Sequence, residues 1–153
     1  MSSGDGWTTC TRGHRHWGLH GAAGLLLTAP GPDGRLHVLL QHRAAWSHHG
    51  DTWGVPGGAR HADETAEQAA LREASEETGL QTQDVGTGEA FVDDHGGWVY
   101  TTVLATAGRL LDVHDLDRES IAVRWVPVGE VDSFALHPGF AASWPTLHSQ
   151  LVG

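Results

Sequence analysis

Residues 64–78 run for fifteen positions without glycine or proline, between Gly57-Gly58 on one side and Gly79 on the other. Ala, Glu, Gln, Leu and Arg dominate the run, and all are good helix formers. The pattern predicts a helix over 64–78, with Asp63 as its N-cap and Gly79 just past its last turn. Glu73, Glu76 and Glu77 are spaced i, i+3, i+4, so at roughly 100° per residue three carboxylates share one helical face. Six of the nineteen acidic residues (Asp63, Glu64, Glu67, Glu73, Glu76, Glu77) fall between positions 63 and 77, so this segment must hold a compensating charge. A hard divalent cation supplies one, because Mg²⁺ prefers carboxylate oxygen and keeps waters and phosphates as further ligands. Gly57-Gly58 lets the backbone approach a ligand closely or adopt positive φ, and a carbonyl of this loop can join the metal shell. Arg72, four residues before Glu76, can hold a carboxylate bidentately.

The flanks set the fold class. Leu19–Leu27 and Arg35–His42 are apolar-rich and joined by a Pro/Gly turn at 29–34, which predicts a β-hairpin. Residues 44–58 read as a structured loop containing Trp46, Trp53, Pro56 and the glycines Gly54, Gly57 and Gly58. Phe91–Asp94 and Trp98–Ala107 flank His95-Gly96-Gly97 as a second hairpin. Ile121–Val126 reads as a strand stopped by Pro127, and 128–134 and 138–151 as short helices. Strands before and after one central helix, then a terminal helix, indicate a mixed α/β sandwich rather than a doubly wound sheet. Residues 1–15 read as a flexible lead-in and 16–153 as a single domain.

Composition narrows the chemistry. All nine basic residues are Arg, and the formal charge is −10. Without Lys there is no Schiff-base chemistry on a lysine and no Walker P-loop. The acidity argues against nucleic acid and anionic membranes as partners. No apolar run is long enough to span a bilayer, no secretory leader is visible and Cys10 is alone, which together point to the cytoplasm. His14, His16, His20 and His48-His49 fit no tetrahedral zinc spacing.

The segment Gly58-x5-Glu64-x7-Arg72-Glu73-Ala74-x-Glu76-Glu77-x-Gly79-Leu80 resembles the Nudix (MutT-like) box at each position, and Trp53-Gly54-Val55-Pro56-Gly57 resembles the usual approach to it. Seven fixed positions at about one in ten each give on the order of 10⁻⁷ per start point from composition alone. The resemblance implies an α/β (α+β) fold, a Nudix-type α/β/α sandwich with a mixed sheet, a catalytic loop-helix-loop and a C-terminal helix. It implies hydrolysis of a nucleoside diphosphate linked to another moiety. Glu73, Glu76 and Glu77 would then hold Mg²⁺ (with Mn²⁺ as a substitute), joined by the Gly58 carbonyl. Glu64 would support the site and Arg72 would orient the carboxylates. Glu73 or Glu119 would be the general base.

Arg43 and Arg60 are the side-chain cations placed to meet phosphates, and Trp98, Trp125 and Phe91 the rings placed to stack a base. With no Asn in the chain, base reading falls to Asp, Gln, His, Ser or backbone groups. The reading that follows is a (d)NTP or oxidised-nucleotide pyrophosphohydrolase releasing a nucleoside monophosphate. Hydrolysis of ADP-ribose, a nucleotide sugar or a dinucleoside polyphosphate is the alternative. A nucleotide-sensing module without turnover is the reading from a different class. A homodimer is compatible with each.

Overall fold

The computed structural model describes residues 4, 6–11, 13, 15–44, 50–116 and 120–152. Along them run β1 (Trp7–Thr9), β2 (Arg15–Trp17), β3 (Ala22–Pro30), β4 (Leu36–Arg43), β5 (Trp53–Gly54), β6 (Gly57–Ala59), α1 (Ala66–Thr78), β7 (Gly86–Asp94), β8 (Val99–Thr106), β9 (Ser120–Pro127) and α2 (Pro138–Val152). Short 3₁₀ turns at Thr82–Asp84 and Val128–Ser133 complete the path. Seven strands form one mixed sheet: β5, β4, β3, β8 and β7 lie in that order, with β6 on β3 and β9 on β4. β3 and β8 are parallel from Ala22↔Tyr100 to Thr28↔Thr106, while the other pairs are antiparallel.

β3 carries the core. It is buried from Ala22 through Ala29, as expected for a strand covered on both faces. Its alternate residues Ala23, Leu25, Leu27 and Ala29 meet Ala69, Ala70 and Ala74 of α1. Leu26 faces the other way, into a cluster with Phe140, Trp144 and Leu147 of α2. The two helices therefore cover opposite faces of the sheet, and the sandwich expected from the sequence is the one observed.

Both expected hairpins are present, β3–β4 and β7–β8. The β3–β4 ladder, however, holds only from Thr28↔Val38 to Pro30↔Leu36. Beyond it the strands part, β5 adds to β4 and β6 adds to β3. The described end of the segment expected to be a structured loop, residues 50–58, thus carries short strands filling a split in the sheet and leads through Gly58 toward α1.

Two details add to the sequence reading, and the first corrects it. α1 starts at Ala66, two residues later than expected, and its N-cap is Thr65 rather than Asp63. Thr65 Oγ1 accepts from Gln68 N–H while the Gln68 side chain accepts from Thr65 N–H, so two otherwise unpaired donors are satisfied at once. Asp63 has no such return bond. Gly79 ends the helix as expected, with φ 76° and its N–H on the Ser75 carbonyl. The second detail is at the start of the chain. The lead-in expected to be loose contains β1, which pairs with β2 through Trp7↔Trp17, Thr8↔His16 and Thr9↔Arg15. Arg15 lies 4.5 Å over the Trp7 ring, and Thr11 N–H donates to Gly96 O across the next hairpin. These contacts join the described part of the lead-in to the rest of the fold.

Candidate active site

Starting α1 at Ala66 leaves Glu64 outside the helix, and this is what lets it face Arg72. The Arg72 fork closes on Glu64 bidentately, Nε to Oε2 at 2.6 Å and Nη2 to Oε1 at 2.9 Å. The remaining donors reach Ala59 O at 3.0 Å and Glu73 Oε1 at 2.9 Å, with Glu76 farther off at 3.5 Å. The bidentate partner of Arg72 is therefore Glu64, not Glu76. One guanidinium joins β6, the loop before the helix and the first carboxylate of the triplet. Its fork holds the Glu64 carboxyl down at about 2, with His61 N–H adding to the effect. Glu64 and Glu73 in turn push Arg72 further into its charged form.

Gly58 earns its place by close approach, not by positive φ. A Cβ there would lie 2.6 Å from the Glu73 carboxyl carbon, so the carboxylate rests against bare backbone. Glu77 is only 8% exposed, and its Oε2 accepts from Gly57 N–H at 3.0 Å. Glu76 is exposed, with 60% of its side chain accessible. Among the described residues no three His, Cys, Asp or Glu side chains converge as metal ligands. The donor set nevertheless fits a hard divalent cation. Arg72 pairs with Glu64, Glu73 and Glu76, three carboxylates to one guanidinium, while Glu77 accepts from Gly57 N–H, and all four acids offer hard carboxylate oxygens.

The other candidates fare unequally. Arg60 donates from Nε to His20 O and from Nη1 to Glu64 O, which ties the loop to the turn before β3. Arg43 ends β4, and its charge acts on Tyr100 together with those of Glu77 and Glu73, which brings it to the acidic end of the sheet. Trp98 lies in a small buried cluster with Cys10 and Ala22. It is 8% exposed, stacks on His16 at 4.1 Å and donates from Nε1 to Gly18 O, so its ring anchors the β1–β2 pair. Trp125 similarly donates to Leu111 O. Phe91 packs against the α2-side core. Glu119, like Trp46, His14, His48 and His49, lies outside the described residues.

Tyr100 belongs to the site and was missed in the sequence. A Cβ at Gly24 would lie 2.2 Å from its hydroxyl and one at Gly57 3.1 Å, so two glycines clear the space it occupies. Burial pushes its phenol well up, Glu77 and Glu73 push the same way, and Arg43 opposes them. The available signal was that it is the chain's one tyrosine.

The family follows from comparison with known proteins. A model of the NUDIX domain matches residues 18–149. The chain belongs to the Nudix family. A Mycobacterium tuberculosis protein named "Putative 8-oxo-dGTP diphosphatase 3" is 55% identical over 152 residues, covering 95% of this chain and 70% of that one. A Bifidobacterium longum nucleoside triphosphate pyrophosphatase/Nudix hydrolase fusion protein is 41% identical, covering 97% of this chain and 32% of the fusion. The crystal structure of the M. smegmatis Nudix hydrolase RenU superposes with a TM-score of 0.93 at 48% identity, over 97% of this chain and 96% of that one. The molecule is thus a Nudix hydrolase, and the box that carried the resemblance coincides with the acidic end of α1. Nudix hydrolases act on small nucleotide substrates and use divalent metals.

Proposed function

We propose that this Nudix hydrolase cleaves an oxidised purine nucleoside triphosphate of the 8-oxo-dGTP type to the monophosphate and pyrophosphate. The observation that carries the reading is the complete, internally braced acid cluster, in a chain 55% identical to a relative named for that substrate. A sensing module has no need for Glu73, Glu76 and Glu77 together, and the alternative substrates have no comparable support.

Glu73, Glu76 and Glu77, with the Gly58 carbonyl, would hold Mg²⁺, with Mn²⁺ as a substitute. When bound, the ion neutralises phosphate charge and makes a water nucleophilic at neutral pH. Arg72 and Glu64 keep the carboxylates oriented before substrate arrives, the usual work of groups behind metal ligands. Arg43 supplies positive charge at the phosphate end, and Glu73 or Glu119 takes the proton from the attacking water. Residues 16–153 act as one catalytic domain.

The test is a panel of 8-oxo-dGTP, canonical dNTPs, ADP-ribose, nucleotide sugars and dinucleoside polyphosphates with Mg²⁺, with products identified. The expected result is 8-oxo-dGMP plus pyrophosphate as the fastest reaction. Release of no phosphate-containing product from any member, or a faster reaction with ADP-ribose, would overturn it.

A further inference from the structure

Gln41 sits on β4 two residues after Leu39, on the α1-facing side of the strand by alternation. It is only 4% exposed, and its Nε2 is buried without a hydrogen-bond partner among the described residues. Buried amides are normally satisfied, because an unmade hydrogen bond keeps the full desolvation cost. Directly across the ladder is Gly54, which offers no side chain to fill the space beside it. Opposed residues of an antiparallel pair share a face. On that face a Gly54 Cβ would touch the His137 Cβ at 3.6 Å. His137 is fixed there by Trp53↔Leu136 and by its N–H on Trp53 O. Gln41, the bare backbone of Gly54 and His137 therefore stand in a row across three adjacent extended segments. Arg43, at the acidic end of the sheet, is two positions along β4, about 7 Å away. That is the scale separating the base of a nucleotide from its phosphates.

The chemistry of a carboxamide selects the base. It offers an acceptor oxygen beside a donor nitrogen, so it pairs bidentately with an edge presenting a donor next to an acceptor. Guanine presents two acceptors, O6 and N7, and leaves the amide oxygen facing a lone pair. Oxidation at C8 places a proton on N7, so the same edge becomes O6 acceptor and N7–H donor. Adenine, with N7 and N6–H₂, also offers one of each.

We propose that Gln41 is a specificity-determining residue, its amide donating to O6 and accepting from N7–H of an 8-oxoguanine nucleotide seated beside Gly54 and His137. The proposal rests on the hydrolase reading above.

The experiment measures kcat/KM of the full chain and of Gln41→Leu for 8-oxo-dGTP, dGTP and dATP. Calorimetric binding of the products 8-oxo-dGMP and dGMP runs in parallel. The wild type should prefer the oxidised guanine in both. Gln41→Leu should lower the 8-oxo-dGTP/dGTP ratio by about 10- to 100-fold, the discrimination a bidentate base contact supplies. The loss should fall on KM and on product affinity, with melting temperature held or raised because an unpaired buried amide has been removed. Gln41→Glu, which can accept from N7–H but repels O6, should bind 8-oxo-dGMP more weakly than wild type. It serves as the reporter if the leucine variant does not fold. An active enzyme whose ratio is unchanged in the leucine variant, or in the glutamate variant where that is the reporter, overturns the Gln41 assignment alone. So does a wild-type preference for dATP over 8-oxo-dGTP. A wild type that turns over no nucleotide overturns the hydrolase reading instead.

Discussion

Two arginines of this chain each bridge two or more carboxylates. Arg35 meets Asp33 at 2.5 Å and Glu130 at 3.2 Å. Arg72 meets Glu64 at 2.6 Å and Glu73 at 2.9 Å. As a list of ion pairs the two clusters look alike. They differ in surroundings: the Arg35 group has side-chain exposures of 59%, 46% and 56%, and the Arg72 group 24%, 11% and 18%. In water a pair gains little over its hydration and is screened by salt. Half out of water, with backbone carbonyls and N–H groups completing the network, the same pairing fixes geometry. Arg35 decorates a turn, whereas Arg72 holds together a strand, a loop and a helix that must stay aligned for chemistry.

The sharpest way to break the comparison is to separate function from scaffolding within the Arg72 group. Glu76→Gln should lower turnover on the order of 10³-fold, the scale of removing a group that stabilises transition-state charge. Its stability should hold or rise slightly, because Glu76 is exposed and repelled by Glu73 at i−3. Steady-state kinetics with a thermal melt of the same sample checks this, and full turnover would remove Glu76 from the metal site. Arg72→Ala should do the reverse in part. It leaves Glu64 and Glu73 without their fork and should cost on the order of 3 kcal/mol in urea unfolding. Arg72→Lys should fold better but weaken metal affinity about 10- to 100-fold, because an ammonium cannot reproduce the bidentate grip.

Acid titration sharpens the same contrast. Glu64 is held at about 2 in the folded chain against an ordinary value of 4.5. A lowered carboxylate stabilises the fold fully above its unfolded value, and that contribution fades as pH falls through its folded value. The wild type should therefore lose stability between about pH 4.5 and 2, and Glu64→Gln should lose distinctly less over that window. Parallel melts at several pH values give the slopes. Equal slopes would mean that the Arg72 fork adds no pH-dependent stability.

How much of this was legible beforehand depended on whether the signal was local. The helix, its Gly79 cap, both hairpins and the acid triplet are written in short windows, and all were readable. Thr65 as the cap is also a local signal, through Thr65-x-x-Gln68, and it prevails over Asp63 because its capping box is reciprocal. What could not be read was pairing at a distance. Nothing near Trp98 says that its indole will donate to Gly18 O eighty residues away. Gln41 looks like an ordinary polar residue in a strand until Gly54 is set opposite it. Trp98→Phe tests the first of these: loss of one buried hydrogen bond should cost about 1 kcal/mol, with KM for nucleotide unmoved. A selective rise in KM would return Trp98 to the binding site.

The smallest effect belongs to Arg35, and its smallness is the informative part. Asp33 is lowered and Arg35 raised by their hydrogen bond, the same directions seen in Glu64 and Arg72. A reading based on those directions alone would grant both clusters comparable importance. Exposure says otherwise. Solvent competes for every donor of Arg35, and the turn it spans is already closed by Gly34 at φ 80° and by Gly34 N–H on Gly31 O. Arg35→Ala should leave the urea midpoint within replicate scatter at physiological salt and leave turnover unchanged. Any shift should appear only at low ionic strength, where exposed charges are least screened. A salt-independent loss approaching that of Arg72→Ala would show that burial does not separate the two clusters, and the Arg72 network would then need another explanation for its place beside the catalytic helix.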